Sequence, residues 1–283
     1  MGDSVIADFT ARVVTPRMGG NKPVRSRVLL ANDRLIAVSS NEKVTVPTDR
    51  IVHVSMNSIS GKLERFFSNT ITVKYRTKRG GQTLHIEKDG AMAEKFRLLL
   101  TNLLLRGTTV LLYHPARRSG RMLEPSSRRA KISAKRGKAV FSTKNGSLSI
   151  DLSSVIHLRY ETEETFRTSY PSVECTHRAG TQPTTTIVAA PDTRKLQLLG
   201  QYLQSDYRDT RGKAEKVALS AAEENALGAV QVGLGPDSIP TLLPEDAPPA
   251  ADVVEKLQKK ELVERGKERF RTTILGEIAL RIR

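Results

Sequence analysis

Hydrophobic and polar residues alternate with a period of two through most of the first 190 positions. Val44 and Val46 alternate with polar neighbours, and Leu148 and Ile150 do the same about a hundred residues later. Such alternation is typical of half-buried antiparallel strands. It predicts strands near 4–14, 26–31, 34–39, 43–47, 50–56, 69–76 and 82–87. A second set is predicted near 108–113, 130–134, 138–143, 146–151, 154–161, 171–178 and 183–190.

The two sets of strands reflect an internal duplication. Residues 27–54 align without a gap on residues 131–158, so that His53 falls on His157 and apolar positions fall on apolar positions. A repeat of this length predicts two units of the same fold. The copies differ after their fifth strands, where the first has a segment of helical character at 61–68. The second copy has an acidic stretch at 161–165.

A helix is predicted at the end of each copy, over about 90–106 and 192–208, because apolar residues recur at helical spacing. These residues are Phe96, Leu99, Leu100 and Leu103 in the first helix and Leu196, Leu199 and Leu203 in the second. Seven strands followed by one helix is the order of a PH-like or GRAM-like β-barrel. The predicted fold class is therefore α+β, with two tandem barrels of this kind over residues 1–107 and 108–212.

Residues 213–283 predict a winged helix-turn-helix domain. Ser220 and Glu223 have capping-box spacing at the start of a first helix that runs to about Val232. A short second helix containing Pro240 follows over 237–243. A third helix after Pro249, a β-wing between 262 and 272 and a closing helix over 274–280 complete the domain. The third helix balances three lysines with three acids and has no Arg or Asn, which disfavours reading of base edges.

Charge is distributed unevenly along the chain. The three predicted domains carry net charges of +9, +8 and −1, which sum to the formal +16 of the whole sequence. A basic field of this size attracts nucleic acid, anionic membranes or acidic proteins. Charge by itself does not choose among these three partners.

Residues capable of catalysis or metal binding do not form a known motif in the sequence. The five histidines are spread one per β-segment, and the single cysteine, Cys175, is predicted to be a small buried hydrophobic residue. No phosphate-binding loop or nucleophile elbow is present. We therefore expect no enzymatic activity, no cofactor and no metal. Because the apolar runs are short and no secretory signal is visible, we also expect a cytoplasmic protein without membrane insertion.

A basic segment is the most distinctive candidate for a binding site. Between residues 117 and 138 nine cations accompany one acid, and the first part is predicted to be a flexible Gly/Pro/Ser loop. The candidate docking residues are Arg117, Arg118, Arg121, Arg128, Arg129 and Lys131. Arginine suits docking of an acidic protein because its planar guanidinium pairs with carboxylates through two hydrogen bonds. The alternative is a solvated loop whose charges only increase solubility.

Five segments in order, 4–9, 27–30, 43–47, 107–116 and 194–203, resemble the archaeal taxis protein family CheF. The resemblance implies an adaptor between the chemotaxis system and the archaellum motor, located at the cytoplasmic base of the archaellum. It also implies binding to the response regulator CheY, preferably phosphorylated, to CheD and CheC, and to archaellum accessory or switch proteins. No catalytic residues come with the family. A winged-helix DNA-binding transcriptional regulator is the alternative function.

Overall fold

The structure is a computed structural model that describes residues 4–18, 20–56, 69–118, 120–123, 126–161, 170–180, 182–266 and 269–283. Over these residues the chain is a mixed α and β protein with mostly antiparallel sheets and few helices. The helical segment predicted at 61–68 lies outside the described residues, as do residues 162–165 of the acidic stretch.

The first sheet has seven strands, as the alternating pattern predicts. They are β1 Val5–Thr15, β2 Gly20–Ala31, β3 Arg34–Val38, β4 Lys43–Pro47, β5 Ile51–Met56, β6 Thr70–Thr77 and β7 Gly80–Glu87. Neighbouring strands pair in the order β4-β3-β2-β1-β7-β6-β5, and every pair is antiparallel. Apolar side chains at alternate positions, such as Val44 and Val46, point into the core.

The second sheet repeats this strand order. Its strands are β8 Thr109–Arg118, β9 Arg121–Met122, β10 Arg128–Lys135, β11 Lys138–Thr143, β12 Gly146–Asp151, β13 Val155–Glu161, β14 Ser172–Ala179 and β15 Gln182–Ala189. The pairing order is β12-β11-β10-β8-β15-β14-β13, and the short β9 pairs with β8. Apart from β9, each strand has its counterpart in the first sheet. The division of the chain into three domains stays a prediction.

Closure of the sheets into barrels is not confirmed. In both sheets the strand path is open over the described residues, with β4 and β5 at the edges of the first and β12 and β13 at the edges of the second. The edge of β5 is instead covered by a helix from the second copy. Gln201 of that helix accepts a hydrogen bond from Val54 N and donates one to Val52 O, at 3.2 and 3.3 Å.

The two predicted helices are present, and both begin at an aspartate. Helix α1 spans Gly90–Leu105 and α2 spans Thr193–Ala214. The carboxylates of Asp89 and Asp192 each accept a hydrogen bond from a backbone N–H in the first turn, which satisfies a donor that the helix leaves unpaired. Helix α2 extends six residues beyond the predicted end at 208, through a polar stretch supported by the Arg211–Glu215 pair.

Each helix also reaches the sheet of the other copy. In α1 the Asn102 Oδ1 accepts a hydrogen bond from Ala134 N of β10 at 2.9 Å. In α2, besides Gln201, Arg194 donates to the carbonyl oxygens of Thr48 and Ile51 at 3.3 and 3.1 Å. The two sheets are therefore joined through their helices by hydrogen bonds that fix backbone groups at strand edges.

Substituting Gln201 with alanine should lower the free energy of unfolding by about 1–3 kcal/mol, because Val52 O and Val54 N lose their partners at a partly buried edge. Denaturant unfolding measures this change. Gln197, one turn earlier on α2 and exposed, provides the matched control, and Gln197→Ala should have little effect. Equal stability of the two variants would contradict the role assigned to Gln201.

The C-terminal segment 215–283, called here the tail, contains α3 Ala221–Gln231, α4 Ala250–Lys259, β16 Val263–Arg265, β17 Phe270–Thr272 and α5 Ile274–Arg281. The capping box of Ser220 and Glu223 is confirmed. In the region of the predicted short second helix the structure has two 3₁₀ turns, Pro236–Ser238 and Pro240–Leu242. Each turn begins at a proline, which lacks the N–H needed to continue an α-helix.

The tail packs against α2 and β13. Arg178 of β14 forms an ion pair with Glu277 of α5 and donates to Thr272 O at 2.6 Å. Buried apolar residues of both sheets, the helices and the tail form one continuous cluster, from Ala11 to Ala279. A second, small cluster outside it, in the second sheet, consists of Tyr113, Ala116 and Ile187.

Candidate functional site

Within the described parts of the chain, no group of three or more His, Cys, Asp or Glu side chains could hold a metal ion. There too, no helix is both long enough and apolar enough to cross a membrane. Cys175 is fully buried, and burial raises the pKa of its thiol to about 12. The cysteine is thus a packed core residue, as predicted.

Two histidines of the second sheet share one hydroxyl. Thr186 Oγ1 lies 2.8 Å from His114 Nδ1 and 3.0 Å from His177 Nε2, and the two rings stack with centroids 6.0 Å apart. His177 is 3% exposed, and burial lowers its pKa to about 4. The pKa of His114 is also lowered, first by burial and then by Arg118 and Arg128. Both rings are therefore neutral near pH 7.

The free energy of unfolding should fall as the pH is lowered from 8 to 5, and the contribution of His177 to this fall should be about 2 kcal/mol. The sign follows from the depressed pKa, because below pH 6.5 the unfolded chain binds a proton at His177 that the folded chain does not. Denaturant unfolding at pH 8, 6.5 and 5 measures the slope. A His177→Gln variant should lose this part of the dependence of the free energy of unfolding on pH. The same dependence in the variant and in the unsubstituted protein would contradict the role assigned to His177.

The six docking candidates lie in strands and not in the predicted flexible loop. Arg117 and Arg118 lie in β8, Arg121 in β9, and Arg128 and Arg129 in β10. Strand β8 is longer than predicted because β15 pairs with it as far as Arg118. Gly120, which comes just before β9, has a φ of +81°, a conformation that favours glycine.

Register divides the six docking candidates between two faces of the second sheet. Arg118 and Arg121 are opposite each other on β8 and β9. The positive charges of Arg118 and Arg128 both lower the pKa of His114, so these three arginines lie on the face that carries His114. Arg128 and His114 line a cavity of about 230 Å³ there. The remaining candidates, Arg117, Arg129 and Lys131, occupy the opposite face, because side chains alternate along a strand.

On this opposite face a row of polar residues crosses four strands. His157 of β13 is opposite Thr176 of β14, Thr176 is opposite Thr185 of β15, and Thr185 is opposite Arg117 of β8. The two threonine hydroxyls are 3.1 Å apart. With Arg159, Glu174 and Arg281 of α5, these residues line a cavity of about 330 Å³, called here the cationic cleft.

The floor of the cationic cleft is a single buried carboxylate. Glu174 is 6% exposed, and its two oxygens lie 3.2 Å from Arg117 Nη1 and 3.3 Å from Arg159 Nη2. Arg159 also pairs with Glu161. The pKa of His157 is lowered, first by burial and then by Arg281, so the imidazole is neutral at pH 7. The cleft can bind an anion through charge-assisted hydrogen bonds, and its lining contains no nucleophile paired with a base.

Of the six docking candidates, only Arg117 belongs to this cleft. Arg159, Glu174 and Arg281 were not predicted as site residues. No local signal in the sequence marks Glu174, because it alternates with the apolar Val173 and Cys175 and therefore falls on the polar side of the strand, with Thr176. A charged residue that is buried in a strand requires an oppositely charged partner.

Comparison with known proteins identifies relatives of the chain. Residues 5–209 match the family model described as archaeal chemotaxis signal transduction system protein F. The chain is also 31% identical over 264 residues to Taxis protein CheF2 of Halobacterium salinarum, an alignment that covers 93% of this chain and 91% of that protein.

Proposed function

The chain belongs to the family of archaeal chemotaxis signal transduction system protein F, and from this premise we propose that it is a non-enzymatic adaptor. It would couple the chemotaxis system to the archaellum motor by binding proteins of the chemotaxis system and proteins of the motor. The observation that carries the proposal is the relation to a taxis protein over 93% of the chain.

The partners in this proposal are CheY, preferably phosphorylated, together with CheD, CheC and the accessory or switch proteins of the archaellum. The protein would act in the cytoplasm, at the base of the archaellum. The arginines that line the cationic cleft, Arg117, Arg159 and Arg281, support a role in holding acidic polypeptides. Each sheet with its helix would be a PH-like unit and the tail a winged helix, both reused for protein contacts.

DNA binding by the tail is the competing function, and the charges on α4 do not favour it. Lys259 pairs with Glu255 on the same helix, while Lys260, just after it, pairs with Glu223 of α3. Lysines that are neutralised in this way contribute little to phosphate binding. Strong salt dependence over many phosphate contacts would be the signature of DNA binding.

A binding assay on the purified full chain separates the two functions. Immobilised protein is exposed to CheY with and without a phosphoryl mimic, to the motor accessory proteins, and to a random duplex. The proposal expects retention of CheY, with more retained in the activated form, and retention of a motor component. Retention of duplex DNA with neither protein retained would overturn the proposal in favour of DNA binding.

A further inference from the structure

The cationic cleft is assembled from elements that are far apart in the chain. Arg117 comes from β8, Arg159 from β13 and Arg281 from the last turn of α5 in the tail. The first two are held in place by Glu174, whose carboxylate is buried between them. Their guanidinium groups are therefore ordered before any ligand arrives, which reduces the entropy lost on binding.

The charges of the cleft do not balance. Three guanidinium groups are balanced by only two carboxylates, the lining Glu174 and the Glu161 that pairs with Arg159. The buried Nε of Arg117 has no hydrogen-bond partner in the described structure, and Arg281 makes no ion pair with another described residue. The cleft therefore carries an excess of positive charge, which an anion would neutralise through charge-assisted hydrogen bonds.

We propose that the cationic cleft is a carboxylate-binding site, completed by docking of α5, that receives an Asp or Glu side chain of an acidic partner polypeptide. Only the identity of that partner, a chemotaxis protein, rests on the proposed function. Guanidinium groups match the geometry of a carboxylate with two parallel hydrogen bonds. Glu174 already pairs with one terminal nitrogen of Arg117 and one of Arg159.

The net positive charge of the cleft attracts any anion, because attraction to the arginines and repulsion by Glu174 both scale with the charge of the ligand. Competition between free glutamate and inorganic phosphate separates a carboxylate from a phosphate. The hydroxyls of Thr176 and Thr185 also lie in the lining and are hydrogen-bonded to each other, so that one of the two keeps its hydrogen for a ligand.

Because Arg281 belongs to the tail, binding in the cleft and docking of the tail should stabilise each other. A ligand that contacts Arg281 together with Arg117 and Arg159 binds the docked form more tightly than the undocked form. Hydrogen exchange in α5 should therefore slow when the cleft is occupied. This coupling is not expected for a ligand held on the other face of the sheet.

The test uses the full chain, a hexaglutamate peptide as probe and hexaglutamine as a control peptide, at low salt. Arg281→Gln, an exposed position that leaves the Glu174 ion pairs in place, should weaken hexaglutamate binding by about fivefold or more. The matched control is Arg118→Gln, which removes the same charge from the neighbour of Arg117 on the opposite face. It should weaken binding by less than about twofold, through the general field alone.

A second variant addresses Arg117 without leaving a buried charge unpaired. The double change Arg117→Gln with Glu174→Gln replaces the ion pair by two neutral amides. It should also weaken hexaglutamate binding, and hexaglutamate should no longer slow exchange in α5. Retention of wild-type affinity by a folded double variant would overturn the proposal.

Three further results would overturn the carboxylate site: no binding of hexaglutamate to the unsubstituted chain, equal losses in Arg281→Gln and Arg118→Gln, or displacement of the peptide by inorganic phosphate at lower concentration than by free glutamate. These results leave CheY retention untouched. If hexaglutamate binds as expected but no chemotaxis protein is retained, the site stands and the proposed function fails.

Discussion

Replacing Glu277 with alanine should release the tail from the second sheet and lower the free energy of unfolding of the tail by about 3 kcal/mol. Glu277 is 4% exposed, and its ion pair with Arg178 joins α5 to β14. Removing the acid leaves a mostly buried guanidinium that keeps only its contact with Thr272 O. Hydrogen exchange over residues 221–281, with thermal unfolding of the full chain, measures the effect.

Two further variants separate the loss of the ion pair from a general effect of substitution. Glu255→Ala removes an exposed partner of Lys259 on α4 and should leave the tail unchanged. A double variant, Arg178→Met with Glu277→Met, should be more stable than Glu277→Ala because no buried charge remains unpaired. Unaltered exchange in Glu277→Ala would show that the ion pair does not anchor the tail.

The second large effect is expected for Phe96→Ala in α1, with a loss of about 3–5 kcal/mol. Phe96 is 1% exposed and packs edge-to-face on Phe9 of β1, with ring centroids 5.0 Å apart. Truncation removes this aromatic contact and leaves a cavity between the helix and the first sheet. Urea unfolding gives the change in stability, and Leu242→Ala, at a 42% exposed site, is the control with little expected effect.

Whether the Phe96→Ala variant unfolds in one transition or in two is as informative as the midpoint of its urea unfolding. Because α1 and α2 each hydrogen-bond to the sheet of the other copy, destabilising the first sheet should also destabilise the second. We expect probes in the two sheets to report one coincident transition. Two separate transitions, with the second sheet at its original midpoint, would contradict the single continuous core.

Most secondary structure in this fold follows from local patterns. Alternation at positions such as Val44 and Val46 locates the strands, and the duplication predicts that both sheets share one strand order. The capping box at Ser220 locates α3 because its signal is contained within four residues. Barrel closure could not be derived in this way, since the edge of β5 is covered by Gln201 from a helix almost 150 residues away.

The candidate site was predicted only in part, for a physical reason. The density of arginines between 117 and 138 is visible in the sequence, but which face each one occupies depends on strand register. The Gly/Ser composition near Gly120 predicts a loop, whereas pairing with β15 extends β8 through Arg118. The residues that line the cationic cleft together with Arg117 come from β13, β14 and α5, so only the tertiary structure brings them together.

The central claim is that this chain carries a taxis signal by binding the activated response regulator. Isothermal titration of the full chain with CheY, with and without beryllofluoride as the phosphoryl mimic, tests it most directly. We predict a dissociation constant about tenfold lower for the activated regulator, and a smaller affinity in Arg281→Gln than in Arg118→Gln. Equal affinity for both forms of the regulator, or no binding to either, would contradict the claim.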